Sequence, residues 1–563
     1  MDAYPLKAQF ISNDEINIAL EFLNSTEEHI DLNVFVKVER LLETVEYHTS
    51  SVSLEHGEAR KVIISLAPKD VDFEGYGADI YLLHDGETVQ EYSTSFDVVS
   101  DWRKATRYGF LSDFGTEDGD DGEDVKSLCK YHLNLVQFYD WMYRHDELVP
   151  PMREFTDLMG RKTNIDAVKQ KVSFCHEYGM KAIAYGAVYA ASTEFFKRHE
   201  AWGFYNSSGE VYNFIDIFRI MNISPDSPWH GHIIGEYRNA VEKVGFDGIH
   251  MDTYGFPKTA VSRLNGEEKT EHLEELFPAL INNTRKELEK VDPDLCLIFN
   301  NVGNWPVDTV AGAKQDAVYI EVWEPYERYH HIQQIIQWAK HYSKGKPVIL
   351  AAYLKPFMQQ ESNSPEEARM SALLLTSIIA ANGGYHMLLG EKDGILTQGY
   401  YVDYSKMDGV TAGKLRSYYD FIIRYSRILF DKETRDVSMT HCRGDNMEYV
   451  FENVEYSPYG EPGKVWVDIR EKPGLKTVSF INLTNNSEDY WNKGKNNPLV
   501  QNDIIVKVQV PKAPKHVYAA SPDANHGRPV LLDYRVWDGD RGKVLTVKIT
   551  GLHIWSLLVI DFE

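Results

Sequence analysis

Cysteine is scarce in this chain: four in 563 residues. Cys129, Cys175, Cys296 and Cys442 lie far apart and form no CxxC pair. Neither a disulfide framework nor a cysteine metal site is therefore expected. Cys296 falls in an apolar run and reads as a small core residue. Long hydrophobic runs are also missing. No stretch of about 18 apolar residues occurs, and the start, MDAYPLKAQF, has neither a basic nor an apolar leader region. The chain reads as soluble, with no membrane partner. Positive charge is in deficit: 59 Lys and Arg stand against 85 Asp and Glu, a formal net charge of −26. Phosphates would be repelled, which argues against nucleic acid and anionic lipid and fits a neutral substrate. There is no internal repeat, linker or low-complexity tract except the acidic run 117–124, EDGDDGED. It reads as a solvated loop, with a Ca²⁺ site as the alternative, and it lacks the EF-hand pattern.

Aromatic side chains, by contrast, are abundant, with 34 Tyr and 11 Trp. Packing of β-sheets and stacking on sugars both call for them. The chain also divides by its grammar. Residues 1–104 carry short alternating strands such as 30–38 (IDLNVFVKV) and 60–66 (RKVIISL), the pattern of an immunoglobulin-like β-sandwich. Over 105–435, eight apolar strand-like runs alternate with helical segments, which predicts a (β/α)8 TIM barrel. The runs begin near Tyr108, Leu133, Lys181, Phe246, Leu295, Val318, Val348 and Gly384. Helices are expected over 164–178, 233–244, 269–291, 329–343 and 365–381. Over 436–563 helix signals stop, and strands at 448–454, 477–483, 503–510, 530–536, 544–549 and 556–560 predict a second β-sandwich.

The central stretch is GFDGIHMDTYGFP, residues 245–257. Gly248, His250 and Asp252 share one strand face, and Ile249 and Met251 share the other. Apolar residues of a barrel strand face the helix layer, so Asp252 points inward at the C-terminal mouth, where such barrels keep their chemistry. A helix cap or a structural arginine partner is the bland alternative. In AVYIEVWE, Val318, Ile320 and Val322 face outward, and Tyr319, Glu321 and Trp323 face inward. Glu321 is therefore preferred over Glu324, which falls on the following loop with the wrong parity. Two carboxylates across a barrel mouth suit glycoside hydrolysis: one as ionised nucleophile, one as acid/base. His250 and Tyr254 are candidate donors to the first. Trp323 and Tyr319 could desolvate the second. Other predicted strand ends carry sugar-compatible groups: Tyr139, Asp140, Trp141 and His145, then Tyr185, Asn300, Asn301 and Tyr353. A metal-dependent hydrolase would need a His/Asp cluster, but no second inward His accompanies His250 or His386. A non-catalytic glucan-binding protein is the rival from another class.

The runs FDGIHMDTYG, QFYDWMYRH and YIEVWE, with RYGFLSDF at the start of the barrel, resemble glycoside hydrolase family 66, which contains dextranases and cycloisomaltooligosaccharide glucanotransferases. The order of domains extends the resemblance over most of the chain. It implies a secreted, endo-acting, anomer-retaining enzyme on α-1,6-glucan (dextran) and its isomaltooligosaccharides. It implies Asp252 as nucleophile, Glu321 as acid/base, and Asp113, Tyr139, Asp140, Trp141 and His145 near the non-reducing side of the cleaved bond. No cofactor is required, and a monomer is expected. The cyclising members characteristically carry an extra carbohydrate-binding module inserted in the barrel region. No room for one is found between Val348 and Arg435, which favours a dextranase.

Overall fold

The computed structural model describes residues 1–119 and 122–563. Of the acidic run 117–124, Asp120 and Asp121 lie outside the described residues. Asp118 approaches the Lys392 ammonium at 3.5 Å, and Asp124 pairs with buried Lys171 at 2.7 Å. These carboxylates are thus matched to lysines.

The first hundred residues form two antiparallel sheets around one apolar core. One contains Asp2–Pro5, Ile16–Leu23 and Ala59–Leu66; the other runs Glu43–Leu54, Ile30–Arg40, Glu74–His84, Glu87–Val98. Alternation drives the burial: Val34, Val36 and Val38 are buried, while Phe35 and Lys37 between them are partly exposed. After residue 436 the chain again forms two sheets about a separate core that includes Val467, Phe480, Val506 and Val547. Two of its strands, Val465–Lys472 and His516–Ala520, were not expected from sequence. The first contains Asp468 and Arg470, an internal ion pair that breaks its apolar pattern. The expected strand 530–536 is two pieces, Val530–Leu531 and Tyr534–Gly539, in different sheets.

Between these regions eight strands lie in chain order, each hydrogen-bonded in parallel to the next. They are β1 (Tyr108–Leu111), β2 (Leu135–Phe138), β3 (Lys181–Ala187), β4 (Gly248–Asp252), β5 (Cys296–Val302), β6 (Ala317–Glu321), β7 (Val348–Ala351) and β8 (Tyr385–His386). Four residues beyond β8, Gly390 pairs in parallel with Phe110 of β1, so the sheet curls back toward its first strand. Helices Ile165–Glu177, Pro228–Val244, Leu273–Leu288, Tyr329–Ser343 and Pro365–Ala381 intervene. Ser364 caps the last of these with Glu367 answering in a capping box, and Pro365 takes the first turn. The helix expected over 269–291 starts later, because Lys269–His272 is a strand paired with Thr259–Ser262. After β3, the segment Ala190–Ser192, Asn213–Phe214 and Phe218–Ile220 forms a further small sheet.

One helix, Gly409–Arg424, ties the regions together. Its Arg424 is buried and donates to Asp79 (3.0 Å) and Glu39 (2.7 Å) of the first region. Its Asp420 accepts from Ser95 N (2.8 Å) and Thr94 Oγ1 (2.9 Å). On the other side Tyr418 donates to Asp523, and Phe421 packs edge-on against Trp555. Removing one partner of so buried an ion pair costs on the order of 3–5 kcal/mol, so these contacts hold the regions in register.

Candidate active site

Inward-facing side chains stack in two levels at the carboxyl ends of these strands. The lower level is aromatic. His250 of β4 shares a 3.0 Å hydrogen bond with Tyr108 of β1 and meets Tyr319 of β6 edge-on at 4.7 Å. Burial holds its imidazole neutral by pushing its pKa down to about 3. His250 therefore sits beneath the site and donates nothing to Asp252. Trp141 is likewise fully buried, its indole N–H given to the Tyr185 carbonyl.

The upper level holds the carboxylates. Asp252 ends β4 and Glu321 ends β6. Asn300 of β5 lies between them, and its Nδ2 donates to Asp252 Oδ1 (2.7 Å) and to Glu321 Oε2 (3.1 Å). Those two oxygens are separated by no more than the sum of these bonds. That is below the roughly 6.5 Å at which inverting carboxylate pairs begin. Tyr185 donates to the other oxygen of Asp252 at 2.7 Å, and Tyr353 donates to the other oxygen of Glu321 at 2.9 Å. Each carboxylate thus has a tyrosine donor of its own and shares the Asn300 amide.

Burial raises both acids because it penalises their charged forms. Asp252 is pushed up to about 6, with the Asn300 and Tyr185 hydrogen bonds holding it down. Glu321 rises further, to about 7, through burial and then through repulsion by Asp252. Between those values the state with Asp252 ionised and Glu321 protonated is favoured. A pair this close titrates as a unit.

The carboxylates open into a cleft of about 510 Å³. Of the sequence-predicted residues, Tyr139, Asp140, His145, Tyr185, Tyr254 and Trp323 line it. Burial lifts the Asp140 carboxyl to about 7 despite Arg161, and depresses His145 to about 3. The buried His145 Nδ1 has no partner among the described residues. Tyr254 stacks on Phe214 at 4.1 Å. Tyr353 lies behind Glu321, and Asn301 is turned into the sheet, donating to the Tyr319 carbonyl at 2.9 Å. Asp113 is occupied by Lys392 at 2.7 Å and does not line the cleft. Glu324 is exposed on the loop and lines a neighbouring cavity.

Sequence reasoning missed the loop after β8 and the segment after β3. Gly399 stands so close to the acid that a Cβ there would lie 2.9 Å from Glu321 Oε1. Its carbonyl accepts from Tyr139 at 3.3 Å. Tyr401 stacks on Tyr139 at 4.4 Å and hydrogen-bonds Tyr319 at 2.6 Å. Phe214 and Phe218 close the opposite wall. Gly399 lies on a loop, and the strands that carry Phe214 and Phe218 are only two and three residues long, too short for alternation to give a signal.

A profile of the family described as "Glycosyl hydrolase family 66" matches residues 6–559. A cycloisomaltooligosaccharide glucanotransferase of Niallia circulans is 21% identical over 701 residues, covering 98% of this chain and 71% of the relative. That aligned length exceeds the 563 residues present here, so the relative carries insertions that this chain lacks. A dextranase of Streptococcus salivarius is 24% identical over 557 residues, covering 84% of this chain and 66% of the relative. Among solved structures, a cycloisomaltooligosaccharide glucanotransferase of Paenibacillus sp. complexed with cycloisomaltoheptaose superposes with a TM-score of 0.90 at 21% identity. It covers 100% of this chain and 99% of that one. The two share a fold.

Proposed function

The chain belongs to glycosyl hydrolase family 66, and from that we propose that it is a retaining endo-dextranase. It would cleave internal α-1,6-glucosidic bonds of dextran to linear isomaltooligosaccharides. The single observation that carries this reading is the Asn300 amide shared by two carboxylates of unequal acidity. In this reading the curled sheet is a (β/α)8 barrel. Residues 1–104 form an immunoglobulin-like sandwich and 436–563 a second sandwich. The protein acts as a secreted monomer; among the described residues, no helix is long and apolar enough to cross a membrane.

Asp252 attacks the anomeric carbon from the face opposite the leaving oxygen. Tyr185 and Asn300 keep it ionised and aimed. Glu321, the more strongly raised acid, donates its proton to the departing 6-oxygen. A covalent glucosyl ester on Asp252 results. Glu321, now a base, takes a proton from water, which attacks the same carbon and releases the sugar with its original configuration. Two inversions restore the α-anomer. Tyr139, Asp140, His145 and Trp323 would bind the sugar rings on either side, by stacking and by hydrogen bonds to hydroxyls.

Incubation with dextran, with products separated by size and tested for ring closure, checks the reading. Linear isomaltooligosaccharides from the wild type, and none from Asp252→Asn or Glu321→Gln, are expected. Cyclic products would instead assign a glucanotransferase. Wild-type levels of cleavage in Glu321→Gln would move the acid role to Glu324.

A further inference from the structure

A second cavity of about 1020 Å³ adjoins the carboxylate cleft, and the two share Trp323 and Gln398 as common wall. Asp252 and Glu321 themselves line only the first. The chain that carries Glu321 runs on through Val322, Trp323 and Glu324 into the wall of the second. Tyr353, whose hydroxyl donates to Glu321, lines the second as well. In a double displacement the acid stands on the leaving-group side, because the departing oxygen takes its proton. The second cavity is therefore placed to receive the departing chain. Its size, at the top of the roughly 300–1,000 Å³ range of ligand sites, admits more than one sugar ring.

Its far wall comes from residues 488–494, which belong to the β-rich region after residue 436. This segment is locked onto the central sheet's loops. Trp491 donates its indole N–H to the Tyr326 carbonyl (2.7 Å) and its backbone N–H to Glu327 (3.0 Å). Tyr329 N donates to the Asp489 carbonyl at 3.0 Å, and Lys355 N donates to Asn492 Oδ1 at 2.8 Å. Gly494 presses so closely on Asn363 that a Cβ there would collide with its amide. Asn492 and Lys493 line the cavity, with the Lys493 ammonium 4.6 Å from the Tyr490 ring centroid. Trp323, two-fifths exposed, supplies an aromatic face at the boundary. The lining joins these amide, ammonium and aromatic groups to the carboxylates of Glu324, Glu327, Glu361 and Glu488, a set that suits a neutral polyhydroxylated chain, which hydrogen-bonds to the polar groups and stacks on the aromatic one.

We infer that residues 488–494, with Trp323 and Gln398, build the leaving-group half of the glucan groove, so that the C-terminal region takes a direct part in binding substrate and acceptor. This rests on the reading of the enzyme as a retaining α-glucan hydrolase. Asn492 and Lys493 are specificity-determining positions for the chain that leaves, and for an acceptor sugar that replaces water.

The test compares the full-length wild type with Asn492→Ala/Lys493→Ala on two substrates. Dextran needs the leaving-group half. α-Isomaltosyl fluoride does not, since fluoride occupies no sugar site and departs without strong acid assistance. The double variant is expected to lose about tenfold in kcat/KM on dextran, as the loss of one to two sugar hydrogen bonds gives. It should stay within about twofold of the wild type on the fluoride, and transfer to added isomaltose should fall with dextran cleavage. Equal losses on both substrates, or no loss on dextran, would overturn the inference and leave the hydrolase intact. A wild type that consumes the fluoride but not dextran would overturn the α-1,6-glucan reading, and this inference with it.

Discussion

Asn300 Nδ2 donates simultaneously to Asp252 and Glu321, at 2.7 and 3.1 Å. One neutral amide thus sets the spacing of the two acids and lowers the pKa of each. Asn300→Ala should reduce kcat by about 10- to 100-fold, the value of a hydrogen bond to a charged group. Both limbs of the pH–rate profile should move to higher pH, since both acids lose a stabiliser of the charged form. A fall in rate with unmoved limbs would show that Asn300 only positions the pair.

The wild-type profile follows from the same two acids. Asp252 must be ionised, so activity falls as pH drops through about 6. Glu321 must be protonated, so activity falls as pH rises through about 7. A narrow optimum between these values is expected in kcat/KM on dextran. Tyr185→Phe removes a donor from Asp252 and should raise the acidic limb more than the alkaline one. Tyr353→Phe removes one from Glu321 and should raise the alkaline limb more than the acidic one. Interchanged responses would contradict the assignment of roles.

Gly399→Ala tests the loop after β8. The new Cβ would stand 2.9 Å from Glu321 Oε1, so the acid or the loop must give way by some tenths of an ångström. A shift of about 1 Å at a reacting group costs on the order of 10²-fold in rate, so a loss of up to about tenfold is expected if the acid moves. The loss should fall on kcat more than on KM for dextran, with the unfolding temperature little changed. Full activity would show that the loop yields.

Stability should run against activity. Glu321 is raised in the folded state, so its contribution to stability is complete below its unfolded value and is lost as pH rises through about 7. Glu321→Gln is free of that loss. The variant should unfold at a higher temperature than the wild type at pH 8, and the gap should close toward pH 4. Calorimetry at the two pH values checks this, and a gap that widens on acidification would refute the sign.

Much of this arrangement was legible in sequence, for a physical reason. Strand alternation has a period of two, so the apolar partners Ile249 and Met251, and Val318 and Ile320, dictate that Asp252 and Glu321 face inward. All eight central strands were found near their expected places on the same ground. Depth along the inward face was not legible. His250 has the same parity as Asp252 but lies one level lower, hydrogen-bonded to Tyr108. The donors that Asp252 uses come from neighbouring strands β3 and β5, and cross-strand register cannot be read from one segment. Gly399 on its loop, and Tyr401 and Phe214 in elements of two or three residues, lie in stretches too short to show a period. The strand Lys269–His272 was hidden in a charged stretch that suits a helix equally well.

The most direct test of the account is the anomeric configuration of the first product. Dextran cleaved by the wild type in an NMR tube, read before mutarotation, should release the α-anomer, as two displacements through Asp252 require. Initial release of the β-anomer would contradict the double displacement and the roles given to Asp252 and Glu321.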